Sequence, residues 1–193
     1  MSEGGIHVSV ARTRSGAIVG ERPAAPAAAA VVDEVAVRAA LSEVMDPELP
    51  MLSVVDLGII HRVGIAPNRG PIAVEILPTF VGCPALELIK ASIAERLGAF
   101  DRPVVVTATF EVPWTSDRIS PAGRAALLGA GIAPPGPTAA GNVPALIDLE
   151  TRVPCPHCGS RRTTVENLFG PTQCRTIRYC ADCRQPFESI KPV

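Results

Sequence analysis

Aromatic side chains are scarce in this 193-residue chain, with one Trp, one Tyr and five Phe making up 4%. A core must therefore be built from Val, Ile, Leu and Ala. Histidine is nearly absent too, with three residues and no Glu-x-x-His pair, which excludes the usual helix-bundle di-iron site. No flavin or nicotinamide fingerprint occurs. No apolar run approaches the ~20 residues that a membrane helix needs. The opening MSEGGIHVSVARTRSG has no apolar signal-peptide core. These absences predict a cytoplasmic protein that does not enter a membrane. In that compartment six cysteines are expected to bind metal or react rather than form disulfides.

Proline and glycine are abundant, at 20 and 16 residues, well above their usual combined share of about 12%, and they point to long linkers. Charge is unevenly spread. Residues 1–150 carry 11 Lys/Arg against 16 Asp/Glu, and residues 151–193 carry 7 against 3. An acidic front and a basic tail suggest two separate modules.

The most informative stretch is Ile72–Leu97. Ile72, Val74 and Ile76 alternate as a strand, and Leu77-Pro78 ends the run. Leu86, Ile89, Ile93 and Leu97 then recur at helical spacing, with Glu87, Lys90, Glu95 and Arg96 on the other face. Cys83-Pro84 is expected to open this helix, with Cys83 at the N-cap and proline at the first helical position. A thiol there meets the positive end of the helix dipole and is expected to ionise below its free pKa. That suits a nucleophile, a redox thiol or a metal ligand. The same residue reads equally well as a small, buried, inert cysteine.

The rest of the chain falls into segments. Residues 1–30, with PAAPAAAA at 23–30, are low-complexity. From Val31 an apolar stripe of Val37, Leu41, Val44 and Met45 predicts a helix stopping at Asp46-Pro47. Asp46–Pro50 (DPELP) is a rigid polar turn, and Asp56-Leu57-Gly58 permits a bulge or tight bend. Ile59–Ile65 and Val104–Val112 alternate as strands. The order helix–strand–strand–helix–strand over 31–128 predicts a small α/β (α+β) domain with helices covering one sheet face. Ser120-Pro121 opens a short helix through Leu128. Residues 129–153 read as a Pro/Gly-rich linker.

Residues 154–193 hold two CxxC knuckles, Cys155/Cys158 and Cys180/Cys183, with 21 residues between them. Four thiolates at that spacing close a tetrahedral site, and so small a module cannot fold on an apolar core alone. The reading is a structural zinc ribbon. Iron in the same sulfur set is the weaker alternative. His157 is a bystander within a knuckle. Cys174 is left over, and is read as a plain strand residue or as a spare ligand of the ribbon. Arg161, Arg162, Arg175, Arg178 and Arg184 invite a nucleic-acid reading. Against it, four thiolates around one divalent metal cancel part of the charge, and the tail has no cluster of stacking aromatics.

Several stretches resemble known families. DPELP at 46–50, DLG at 56–58 and the Thr79-x-x-x-Cys83-Pro84 run are similar to the α/β domain of iron–sulfur assembly factors, the group that includes SufT. PWTSDRIS at 113–120, GIAPP at 131–135, CPHCGS at 155–160, FGPTQC at 169–174 and CADCRQPFE at 180–188 extend the resemblance to the PaaD (PaaJ) family of ring-1,2-phenylacetyl-CoA epoxidase subunits. The departures are the Ala-rich extension, Arg175 where lysine is expected, and an insert at 136–154. The resemblance implies an accessory, non-catalytic subunit of the epoxidase complex in aerobic phenylacetate degradation. It implies structural zinc on the four ribbon cysteines. It also implies a transient iron ion or iron–sulfur cluster on Cys83, with Asp46 and Thr79 lining the same pocket. The expected partners are the oxygenase or reductase subunits of the complex, with self-association through a free sheet edge open. The alternatives are a structural adaptor that docks complex subunits and a general iron–sulfur carrier.

Overall fold

The computed structural model describes residues 32–80, 82–136 and 153–192, so the expected extension 1–30 lies outside the described residues. Helix α1 (Glu34–Leu41) begins where Asp33 Oδ1 accepts the Ala36 N–H at 2.8 Å, the contact that favours short acidic N-caps. The helix ends earlier than its apolar stripe predicts. Asp46 N donates to Leu52 O and Val54 N to Val44 O, so residues 44–54 pair with each other instead of continuing the helix.

Strands β1 (Ile60–Ile65) and β2 (Ile72–Ile76) form an antiparallel hairpin. Its turn holds Asn68 and Arg69 at φ 53° and 56°. Helix α2 (Leu86–Gly98) crosses over and delivers β3 (Val104–Ala108) parallel to β2, giving the order β1-β2-β3. A parallel neighbour requires such a crossover. Ile72, Val74 and Ile76 are fully buried, and Ile89, Ile93 and Leu97 of α2 join them with Val37 and Leu41 of α1. Helices cover one sheet face, as the alternation predicts. The third strand stops four residues before Val112, although Thr109 N still reaches Ile76 O.

The Asp56-Leu57-Gly58 bend is a structural hub. Asp56 accepts hydrogen bonds from Ser53 Oγ and Ser120 Oγ, and Arg118 Nε donates to Gly58 O. Trp114 is buried and donates its indole N–H to Leu57 O at 3.0 Å. The stretch 113–120 thus wraps the bend through a 3₁₀ turn (Ser116–Arg118) before helix α3 (Pro121–Gly129). Ser120 caps α3 by accepting from Gly123 N, with Pro121 in its first turn.

The linker expected over 129–153 is not a linker at its start. Ile132–Ala133 form β4, which pairs parallel with β7 (Pro186–Ile190) in a second sheet. With β5 (Thr163–Asn167) and β6 (Arg175–Cys180) its order is β4-β7-β6-β5. Residues 137–152 lie outside the described residues. The two modules suggested by charge are not separate either, because Ile132 and Ile190 of the ribbon sheet pack into the same apolar cluster as α1, α2 and β2. No helix among the described residues is long and apolar enough to cross a membrane.

Gly58 has φ +72°, and a Cβ there would lie 2.2 Å from Arg118 O. Gly58→Ala combines left-handed strain with a backbone clash, each worth on the order of 1–3 kcal/mol. Its thermal midpoint should fall by several degrees, whereas Gly98→Ala, which meets nothing within 4 Å, should match or exceed wild type. Thermal denaturation of the two variants side by side checks this.

Candidate metal centre and thiol pocket

The ribbon cysteines converge. The Sγ atoms of Cys155, Cys158, Cys180 and Cys183 all lie within 4.8 Å of one another. The Cys155–Cys183 and Cys158–Cys180 pairs are 3.6 Å apart. A tetrahedral ion with metal–sulfur bonds of about 2.3 Å needs edges of roughly 3.8 Å, so the donor set fits. Each knuckle closes in the same way, with Gly159 N donating to Cys155 O and Arg184 N to Cys180 O. Both closing residues have positive φ, 73° and 57°.

Backbone N–H groups, Cys183 first, hold the Cys180 thiol down to about 7. Burial pushes Cys183 up to about 12, and the three neighbouring sulfurs add to the shift. Four thiolates this close are tolerated only around a positive charge. Cys174 is not one of this set; it precedes β6 rather than lying within it.

The second site is a cavity of about 30 Å³ between the α/β sheet and the ribbon. Asp46, Thr79 and Cys83, the three residues expected to share a pocket, all line it, and Glu48, Trp114 and Cys174 do as well. Asp46 Oδ1 accepts from Glu48 N and Leu49 N at 2.8 Å each, so the DPELP turn is an aspartate-closed loop. Cys83 lies before α2 rather than at its N-cap, which is Ala85. The turn Leu86 N to Cys83 O, at 3.2 Å, separates thiol and helix.

This position reverses the expected ionisation of Cys83. Burial raises its pKa and outweighs the Ala85 N–H that favours the thiolate, while Glu48, Asp46 and Cys174 push the same way as burial. Burial likewise raises Cys174, Asp46 and Glu48, with Arg175 the opposing cation for all three. The pocket therefore gathers four acids that burial pushes toward their neutral forms.

Arg175 holds the two walls together. Its guanidinium pairs with Glu188 at 2.7 Å, donates to Thr172 Oγ1 at 2.8 Å and reaches Glu48 O at 3.2 Å. Three directed bonds need a planar fork that lysine lacks. Cys174 O in turn accepts Lys191 N at 2.9 Å. These contacts set Cys174 opposite the DPELP turn. The residues alone did not reveal this, and an odd cysteine left over from a complete ligand set was the available signal.

Comparison with known proteins follows the same division. Residues 34–110 match the model of an iron-sulfur cluster assembly protein, and residues 139–191 match the PaaD zinc beta ribbon domain. A putative 1,2-phenylacetyl-CoA epoxidase subunit from Escherichia coli (strain K12) is 36% identical over 154 residues, 79% of this chain and 89% of the relative. The chain belongs to the PaaD family. Two solved structures also overlap it. A domain of unknown function from Bacillus anthracis has 27% identity and a TM-score of 0.46, covering 49% of this chain and 90% of its own. A conserved hypothetical protein from Thermotoga maritima has 32% identity and a TM-score of 0.43, covering 49% and 92%. In this PaaD-family chain the two matched regions meet at the cavity, the first supplying Asp46, Thr79 and Cys83 and the second Cys174.

A raised thiol pKa means less thiolate at a given pH. Alkylation of Cys83 in the metal-free pocket should therefore be slower than that of a peptide thiol at pH 8, with its rate–pH midpoint above the ordinary value of about 8.5. Peptide-resolved mass spectrometry across pH 6–10 reads this directly, and a midpoint below the ordinary value would contradict the burial argument.

Proposed function

We propose that this chain is an accessory, non-catalytic subunit of a phenylacetyl-CoA epoxidase in aerobic phenylacetate degradation, acting in the cytoplasm. Its task is to assist iron or iron–sulfur assembly in the oxygenase or reductase subunits through Cys83. The observation that carries this reading is the convergence of Cys83, Asp46 and Thr79 on one small, half-buried cavity within a domain of the iron–sulfur assembly type. A thiol kept protonated by its surroundings is a weak nucleophile but gives up its proton to a metal. Such a site holds iron transiently and releases it. The relative's name supplies the setting.

The four ribbon thiolates hold one zinc ion as a structural element. Metal analysis should return about one zinc per chain in a colourless protein, falling to near zero in Cys155→Ser with a lower thermal midpoint. An iron-coloured ribbon would replace zinc with iron in this account. For the pocket, Cys83→Ser should lower iron content and epoxidation in the reconstituted complex by about 10-fold or more, the scale of losing a metal-site group. Unchanged iron and activity would overturn the assembly role.

A second reading is a docking adaptor. Phe80 and Phe110 are 42% and 60% exposed, and they follow the paired ends of parallel β2 and β3. If docking alone matters, Phe80→Asp with Phe110→Asp should abolish co-purification with partner subunits while Cys83→Ser remains silent.

A further inference from the structure

The four ribbon sulfurs are not equally reachable from solvent. Cys155 and Cys180 are buried, at 2% and 0% exposure, and Cys183 is half-buried against the small apolar cluster. Cys158 alone of the six cysteines is exposed. We propose that Cys158 is an oxidation site for hydrogen peroxide, with Cys180 as its resolving thiol, so that the ribbon gives up its zinc as a Cys158–Cys180 disulfide forms. This goes beyond the structural zinc reading and rests on it.

Three observations converge. Zinc keeps a ligating thiol deprotonated, and peroxide oxidises thiolates that solvent reaches. Cys158 meets both conditions, whereas Cys83 and Cys174 are half-buried and held toward the neutral thiol by that burial. The approach to Cys158 is also open. His157 and Gly159 on either side of it are exposed, and a Cβ on Gly159 would meet nothing within 4 Å. The third observation is the partner. Cys180 Sγ lies 3.6 Å from Cys158 Sγ, although Cys180 itself has no contact with solvent. A buried thiol touching an exposed one can attack the oxidised sulfur without meeting peroxide first. Cys155 and Cys183 lie 3.6 Å from each other, which leaves Cys180 as the neighbour for Cys158.

The chemistry balances in two steps. The Cys158 thiolate attacks one peroxide oxygen; an S–O bond forms, the O–O bond breaks and hydroxide leaves. The Cys180 thiolate then attacks the sulfenic sulfur; the S–S bond forms and a second hydroxide leaves. Two thiolates lose two electrons in all, and one peroxide gains them. Zinc, left with Cys155 and Cys183, departs to solvent. A disulfide of about 2.0 Å asks the sulfurs to close by roughly 1.5 Å, a shift that falls on the open Cys158 knuckle. The new bond runs between the knuckles, so the first knuckle stays tied to the end of β6 after the ion leaves.

The test uses the full chain, purified reduced with its zinc and treated anaerobically with a single equivalent of hydrogen peroxide. A colorimetric chelator reads released zinc, and proteolysis with mass spectrometry maps disulfides and remaining thiols. The expected result is one zinc released for each Cys158–Cys180 link, with Cys83 and Cys174 still alkylated as free thiols. Cys158→His leaves a three-cysteine, one-histidine set that zinc accepts; it should hold zinc and lose the peroxide-driven release. Should that variant fail to load, the wild-type map decides alone. A link from Cys158 to Cys155 or Cys183 would overturn Cys180 as the resolving thiol. Earlier oxidation of Cys83 or Cys174, or retention of zinc with Cys158 still reduced, would overturn the site while leaving the zinc reading intact. A reduced chain that carries no zinc before peroxide is added would overturn the zinc reading and the Cys158 assignment with it.

Discussion

Four sulfur atoms packed within 4.8 Å of one another are the constraint on which the C-terminal half depends. Among the described residues the ribbon's own buried cluster is Ala133, Val153, Cys155, Cys180 and Phe187, two of which are the cysteines themselves. An apolar core of that size contributes a few kcal/mol at best, too little to order some forty residues. Metal–sulfur bonding supplies the difference, as in other small metallo-domains. Once the knuckles are fixed, β6 and β7 pair, Arg175 is aimed at Glu48, and Cys174 is carried to the cavity wall. The chemistry of the thiol pocket is thus downstream of a metal site that takes no part in it.

The α/β half uses ordinary apolar packing to a similar end. Alternation in β2 buries Ile72, Val74 and Ile76, and the 3.6-residue repeat of α2 lays Ile89, Ile93 and Leu97 against them. That packing positions the two loops that matter, the DPELP turn and the segment before α2. Both loops are held by backbone bonds to polar side chains or carbonyls, so their functional groups are placed with little rotamer freedom. The Trp114 ring closes the same cavity because its N–H is claimed by Leu57 O.

Local pattern made much of this legible. Strand and helix positions follow from periodicity, Ser120-Pro121 announces α3, and the CxxC pair announces the sulfur cluster. What local pattern hides is tertiary. The early end of α1 depends on pairing between residues 44–54, and β4 is two residues long and exists only because β7 lies beside it. The thiol of Cys83 illustrates the limit well. Its place before a helix argued for an acidic group, yet burial and neighbouring acids outweigh one backbone donor. Cys174 could not be assigned to the pocket without knowing that Arg175 bridges the ribbon to the DPELP turn.

Ala133 and Val153 sit in the same small buried cluster, which gives the segment between them a thermodynamic meaning. Its two ends are pinned side by side whatever its length. Loop-closure entropy grows only logarithmically, about 0.6 kcal/mol for each doubling. Insertions here are therefore nearly free of energetic consequence for the ribbon or the pocket, whereas one residue added between Cys174 and Arg175 would misalign both. The chain concentrates its tolerance for length change at a place where the fold has already closed the circle.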